Sequence, residues 1–176
     1  MNDVRAAQQP LRQKYIKDPG AAMVLDRARS AHSDPNDPFH SIVEPMPGCG
    51  VSAPVGVHRA LGGLHDAPTP GDILCAALAA CADSTIHMVA NILGVELEQL
   101  EVSVGADVDV RGTLMVARDV PVGFQAMRCQ VDLRAKAGTS SALLGRLKAA
   151  AEHSCVVLQT LRQPPPVQMT FEEKGT

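Results

Sequence analysis

The chain has no tryptophan, one tyrosine and three phenylalanines among 176 residues, so aromatic side chains amount to only 2%. A core of this composition fills space with Ala, Val and Leu, and its backbones must approach closely. Alanine-rich helices achieve that, and alanine is present at 24 residues; an aromatic-anchored β-sandwich is excluded. The same shortage argues against single-stranded nucleic acid, which needs aromatic stacking platforms. No basic stripe is present either: Lys+Arg number 16 against Asp+Glu 19, a net charge of −3. Nucleic acid, whose binding is dominated by phosphate neutralisation, is therefore not an expected partner. The opening MNDVRAAQQPLRQKY has no apolar h-region, and the apolar run Ile73–Ala82 is too short to span a bilayer. The expectation is a soluble, cytoplasmic protein with no membrane partner. His153 stands near Cys155, but no second Cys/His pair has zinc-ligand spacing, and Gly62-Gly63 forms no phosphate loop. No metal and no cofactor is expected.

What is present is a globular composition, 45% hydrophobic and 20% charged, in a chain long enough for one domain. Val4–Lys17 reads as a helix stopped by Asp18-Pro19-Gly20. Ala21–Ser30 fits strand or helix, and the proline-rich His32–Gly50 reads as loop with a short strand at Ser41–Glu44. Val51–Arg59 alternates loosely as a strand. Pro70 then opens the best helix, with Asp72 in its first turn and Gly94 as its stop. Its first half, ILCAALAACA, is apolar all round, which implies burial on every side. An alternating strand follows, with Leu100, Val102, Val104, Ala106, Val108 and Val110 inward. In a second strand Met127, Cys129, Val131, Leu133 and Ala135 face inward. Thr139-Ser140-Ser141 caps a further helix that ends near Cys155 or runs on to Gln159. A last short strand carries Val167, Met169 and Phe171 beyond Pro164-Pro165-Pro166. This order is α+β, not βαβ. The chain reads as a single domain over residues 1–176, with a core at 51–173 and an N-terminal extension at 1–50. A helix buried all round needs more cover than one sheet provides, and a homodimer pairing two such helices would supply it.

Five cysteines, an odd number at irregular spacing, do not form a secreted disulfide framework. Cys129 reads as a core residue on an inward strand face, and Cys49 as a loop residue. Cys75 and Cys81 lie about 9 Å and about 240° apart on one helix and cannot bridge. Cys81 and Cys155 each sit on the apolar side of their helices, and if those helices face each other their sulfurs meet; on spacing alone, packing remains the other reading. Asp83 and His87, four residues apart on the central helix, read as a simple hydrogen-bonded pair.

The segment Pro70-Gly71-Asp72-Ile73-Leu74-Cys75-Ala76-Ala77-Leu78-Ala79-Ala80-Cys81 resembles the central-helix signature of the OsmC/Ohr family, the osmotically inducible and organic-hydroperoxide-resistance proteins. Ala151-Glu152-His153-Ser154-Cys155 is similar to that family's second cysteine motif. The resemblance covers about Val51 to Phe171. It implies an OsmC-like, intertwined homodimer, with antiparallel sheets wrapped around two long central helices. It also implies thiol-dependent reduction of a small organic hydroperoxide in oxidative-stress defence, with Cys81 as peroxidatic thiolate and Cys155 as resolving thiol. A dithiol reductant, lipoyl-type or thioredoxin-like, would close the cycle. A mid-helix cysteine needs help to ionise, and the family uses an arginine held by a carboxylate. Arg59 is the candidate by position, Arg162 its rival, and Asp72 the candidate acid. The peroxidase branches carry Glu directly after the helix-opening Pro, where this chain has Gly71, and often Pro after the second cysteine, where it has Val156. The alternative reading is a non-catalytic OsmC-like protein that binds a small apolar ligand or senses redox state.

Overall fold

The protein is described by a computed structural model in which residues 3–173 are placed. Helix α1 (Val4–Lys17) starts on an Asp3 cap and ends at Asp18, as the turn residues dictate. A short 3₁₀ turn (Pro19–Ala22) leads to a three-stranded antiparallel sheet, β1 (Ala28–Ala31), β2 (Ser41–Pro45) and β3 (Ala53–Val55). The segment whose periodicity did not decide between helix and strand thus splits into turn, extended chain and strand. The loop that joins this sheet to the rest is clipped by His40, whose Nδ1 lies 2.7 Å from Asp37 and whose Nε2 lies 3.1 Å from Asp66. With a carboxylate on each ring nitrogen the imidazolium is favoured, so the pKa is raised, chiefly by Asp37 and then by Asp66.

The long helix α2 (Pro70–Leu93) is fixed at both ends by its own sequence. The Thr69 hydroxyl oxygen accepts from the Asp72 N–H, and the Asp72 carboxylate accepts from the Thr69 N–H, closing a capping box. At the other end Gly94 takes φ 69°, and the Val95 N–H returns to the Ala90 carbonyl at 2.9 Å. The helix runs to Leu93 as expected, beyond the apolar run that Asp83 ends, and by length and composition alone α2 is long and apolar enough to cross a membrane. Its burial is not all-round as expected. Leu78, Ala82, Thr85, Ile86 and Ala90 form one buried stripe, whereas Ala76, Ala77 and Ala80 are exposed.

That stripe is the core. The strand pair β4 (Leu97–Asp107) and β5 (Ala126–Ala135) runs antiparallel beside α2, and α4 (Ser141–Ser154) and α5 (Val156–Arg162) close the seam. One cluster joins Ile86, Ala90 and Val95 to Leu147 and Ala151; a second joins Leu78 and Ala82 to Cys155. Alanine on both sides of the α2–α4 contact is what lets the backbones approach.

Three strand expectations are corrected. Strand β4 ends at Asp107, because Asp109 caps a one-turn helix α3 (Val110–Thr113), so Val108 is exposed and Val110 is helical. Gly112 makes that turn possible: a Cβ there would sit 2.7 Å from the Val120 carbonyl oxygen. The alternation of β5 is correct in phase, yet Cys129 and Val131 are exposed, because α2 lies chiefly over β4. Val167, Met169 and Phe171 form no strand, pair with neither sheet among the described residues, and are 80% or more exposed.

Leu147 is fully buried in the core, so Leu147→Ala should cost about 2–5 kcal/mol in urea unfolding. His40, whose folded pKa is raised, contributes stability that is complete below its unfolded value and lost as pH rises through the folded one. His40→Ala should therefore lower the melting temperature at pH 6 and leave it nearly unchanged at pH 9.

Candidate active site

The site forms where the chain cannot continue one helix. The helix capped by Thr139-Ser140-Ser141 was expected to end near Cys155 or to run on to Gln159, and residues 141–162 take neither course alone. They form two helices, α4 and α5, and Cys155 is the joint, with φ −75° and ψ 103°. The break swings the Cys155 side chain into the α2 seam, where it is 2% exposed. Its Sγ lies 3.4 Å from the Sγ of Cys81, donating to it. The thiols are free in this state and close enough to need only a small shift to bond.

The same break creates a second feature. The first N–H groups of a helix have no partner within it. Those of Val156 and Val157 open α5, and both favour the Cys81 thiolate. Burial pushes the Cys81 thiol up, but the Val157 N–H, the Cys155 thiol, the Thr85 hydroxyl and the Val156 N–H together hold it below the usual thiol value. Cys155 moves the other way: burial raises it, the Leu158 N–H opposes this in part, and donation to Cys81 raises it further, so that it lies above the usual thiol value. One thiol is thus prepared to ionise and its neighbour to keep its proton.

The other expected site residues lie elsewhere. Arg59 opens a 3₁₀ turn and its guanidinium donates to the Leu64 carbonyl at 3.4 Å. Arg162 pairs with Glu152 at 2.8 Å. Neither arginine is among the leading influences on Cys81, where backbone N–H groups and a hydroxyl take the place of the cation. Asp72 belongs to the helix cap; the Thr69 N–H and hydroxyl hold its carboxyl low. His153 is in the last turn of α4, and no group of three or more His, Cys, Asp or Glu side chains among the described residues could hold a metal. Asp83 and His87 stand 3.8 Å apart on the exposed side of α2.

Thr85 was missed, although its spacing carries a signal: four residues after Cys81, it lies on the same helix face one turn on. The N–H groups of α5 carry no such signal, because no Gly or Pro marks the break at Cys155. Gly71 also has a physical partner. A Cβ there would lie 3.1 Å from Cζ of Phe124, whose ring fills the place of a side chain at this position. Beside the site, an apolar groove of about 1170 Å³ runs between Leu74, Leu78 and Ala82 of α2, Met127 and Cys129 of β5, and Cys155. Cys81 is part-exposed but is not on the groove wall.

Thr85→Val removes one donor to the thiolate and should raise the Cys81 pKa, making alkylation by iodoacetamide at pH 7 roughly several-fold slower. Arg162→Ala should leave that rate unchanged.

The arrangement can be set beside known proteins. The family profile described as OsmC-like protein matches residues 63–170. No curated protein sequence matches the chain. Among solved structures, an OsmC-like protein from Mycoplasma pneumoniae superposes with a TM-score of 0.64 at 11% identity, covering 80% of this chain and 89% of its own. An organic hydroperoxide resistance protein OsmC from Legionella pneumophila gives 0.54 at 22% identity, covering 81% and 92%. An organic hydroperoxide resistance protein from Elizabethkingia anophelis gives 0.58 at 16% identity, covering 81% and 91%. At these identities the structures establish a shared fold, and the profile, which spans more than half of the sequence and both cysteine segments, establishes descent: the chain belongs to the family of OsmC-like proteins.

Proposed function

We propose that the protein is a thiol-dependent peroxidase that reduces organic hydroperoxides, with Cys81 as the peroxidatic thiolate and Cys155 as the resolving thiol. The observation that carries this reading is the 3.4 Å contact between a part-exposed thiol favoured as thiolate and a buried thiol held protonated. The Cys81 thiolate attacks the terminal peroxide oxygen, the O–O bond breaks, and the alkoxide takes up a proton and leaves as the alcohol. Cys81 is then a sulfenic acid. The Cys155 sulfur attacks it, water leaves with the hydroxyl and the Cys155 proton, and a disulfide remains. An external dithiol, lipoyl-type or thioredoxin-like, restores both thiols by exchange and is itself oxidised. The low pKa of Cys81 supports the first step, and the proximity of Cys155 supports the second.

The protein acts on this reading as a cytoplasmic homodimer. The exposed alanines of α2 and the unpaired Val167–Phe171 segment are apolar surfaces that a second copy would cover. A cation from Arg59, and any help from Asp72, would then have to come across that interface. The apolar groove favours a second reading, a non-catalytic protein that holds a small apolar ligand.

Cumene hydroperoxide with a dithiol reductant separates the two. The peroxidase reading expects steady peroxide loss, a Cys81–Cys155 disulfide in the mass spectrum, and loss of turnover of at least about 10³-fold in Cys81→Ser. Because the Cys81 pKa is lowered, kcat/KM should rise with pH as the thiolate forms, with its midpoint below that of an ordinary cysteine. No peroxide loss and no disulfide would leave the ligand-binding reading.

A further inference from the structure

Cys129 was expected as a packing residue and is instead exposed, on the face of β5 that lines the groove with Cys155. Its neighbour on that face, Met127, packs against the cluster of Leu78, Ala82 and Cys155, as does Val104, its partner across the ladder. Residues directly opposite in such a ladder have Cβ atoms about 5 Å apart, so Cys129 is next to two residues, Val104 and Met127, that pack on the Cys155 cluster. The groove wall includes Cys155 and Cys129 but not Cys81. Of the redox pair, Cys155 is therefore the member that shares a wall with Cys129.

We infer that Cys129 is a third redox thiol, which takes the disulfide over from Cys81 by attacking Cys155 from the groove. The relay rests on the peroxidase reading of Cys81 and Cys155. Cys129 gives its proton to water, and its thiolate attacks the Cys155 sulfur. A Cys129–Cys155 bond forms, the Cys81–Cys155 bond breaks, and the electron pair leaves on Cys81 as a thiolate. Nothing is oxidised or reduced in the exchange overall; the disulfide moves by one partner. The freed Cys81 can then meet a second hydroperoxide before any external dithiol arrives.

The direction follows from the leaving group. In thiol–disulfide exchange the thiol of lower pKa departs faster. Cys81 is held low, whereas burial pushes Cys155 up and also pushes up Cys129, which opens to the groove but is flanked by its own strand. The charge of Cys129 also acts on Cys155, consistent with their shared wall. Attack at Cys155 therefore expels the sulfur that is most stable as a thiolate.

The test is a titration of the reduced full-length chain with cumene hydroperoxide and no reductant, with Cys49 and Cys75 replaced by Ser. The relay expects about two equivalents of peroxide consumed per chain, against about one in Cys129→Ser and in Cys129→Ala. It also expects a Cys129–Cys155 peptide in the mass spectrum. Equal consumption in all three, with Cys129 fully alkylated by iodoacetamide after oxidation, would overturn it. A second arm uses one equivalent of diamide, which makes disulfides without peroxidase chemistry. A Cys129–Cys155 link with Cys81 open to alkylation supports the relay, and a Cys81–Cys155 link alone overturns it. Failure of the peroxide arm together with a Cys129–Cys155 link in the diamide arm would overturn the peroxidase reading, and with it the relay, while showing that the Cys129 and Cys155 thiols can pair.

Discussion

The contact between the Cys81 and Cys155 sulfurs depends on a single constraint, the interruption of the chain's last helical stretch at Cys155. Had residues 141–162 formed one straight helix, Cys155 would have no turn to aim its side chain into the α2 seam. The N–H groups of Val156 and Val157 would also be spent within the helix. The break supplies the buried thiol and the donors for the neighbouring thiolate together. It is held by packing, since Leu147 and Ala151 on one side and Leu158 and Leu161 on the other lie against the clusters of α2 and β4. Redox geometry and core packing are thus the same contact surface.

Small residues make that surface possible. Ala82, Ala90 and Ala151 let α2 and α4 come close, and Cys155 is itself a small apolar side chain in this setting. The shortage of aromatics has a local exception at Phe124. Its ring lies over Gly71 at the start of α2. Within one chain the thiolate of Cys81 is favoured by short-range donors: the N–H groups of α5, the Cys155 thiol and the Thr85 hydroxyl. An ion pair acts over a longer reach, whereas hydrogen bonds to a thiolate depend on the seam staying closed.

Much of the fold was legible. Caps and stops placed α1 and α2 to the residue or nearly so, because Pro70, Asp72 and Gly94 act within one turn of themselves. The alternation of β4 and β5 gave the right phase through period-2 pleating. Where the reading went astray, a non-local partner decided the outcome. Val110 left its strand because the loop at Val120 and Pro121 packs on Gly112. Val167–Phe171 alternates as a strand does, but a strand exists only beside another edge. Cys129 faces the expected side, yet it opens to a groove, because exposure depends on what lies across from a face.

The site divides along the same line. The sequence by itself determined the capped helix that carries Cys81, the apolar face that carries Cys155, and the one-turn spacing of Thr85 from Cys81, all of which are local. Only the tertiary structure decided that the two sulfurs meet at 3.4 Å, that Arg59 and Asp72 are engaged elsewhere, and that backbone N–H groups favour the thiolate. The physical reason is range. Caps, turns and periodicity act over a few residues, whereas Cys81 and Cys155 are 74 residues apart in sequence, and their contact is set by how α2, α4 and α5 pack.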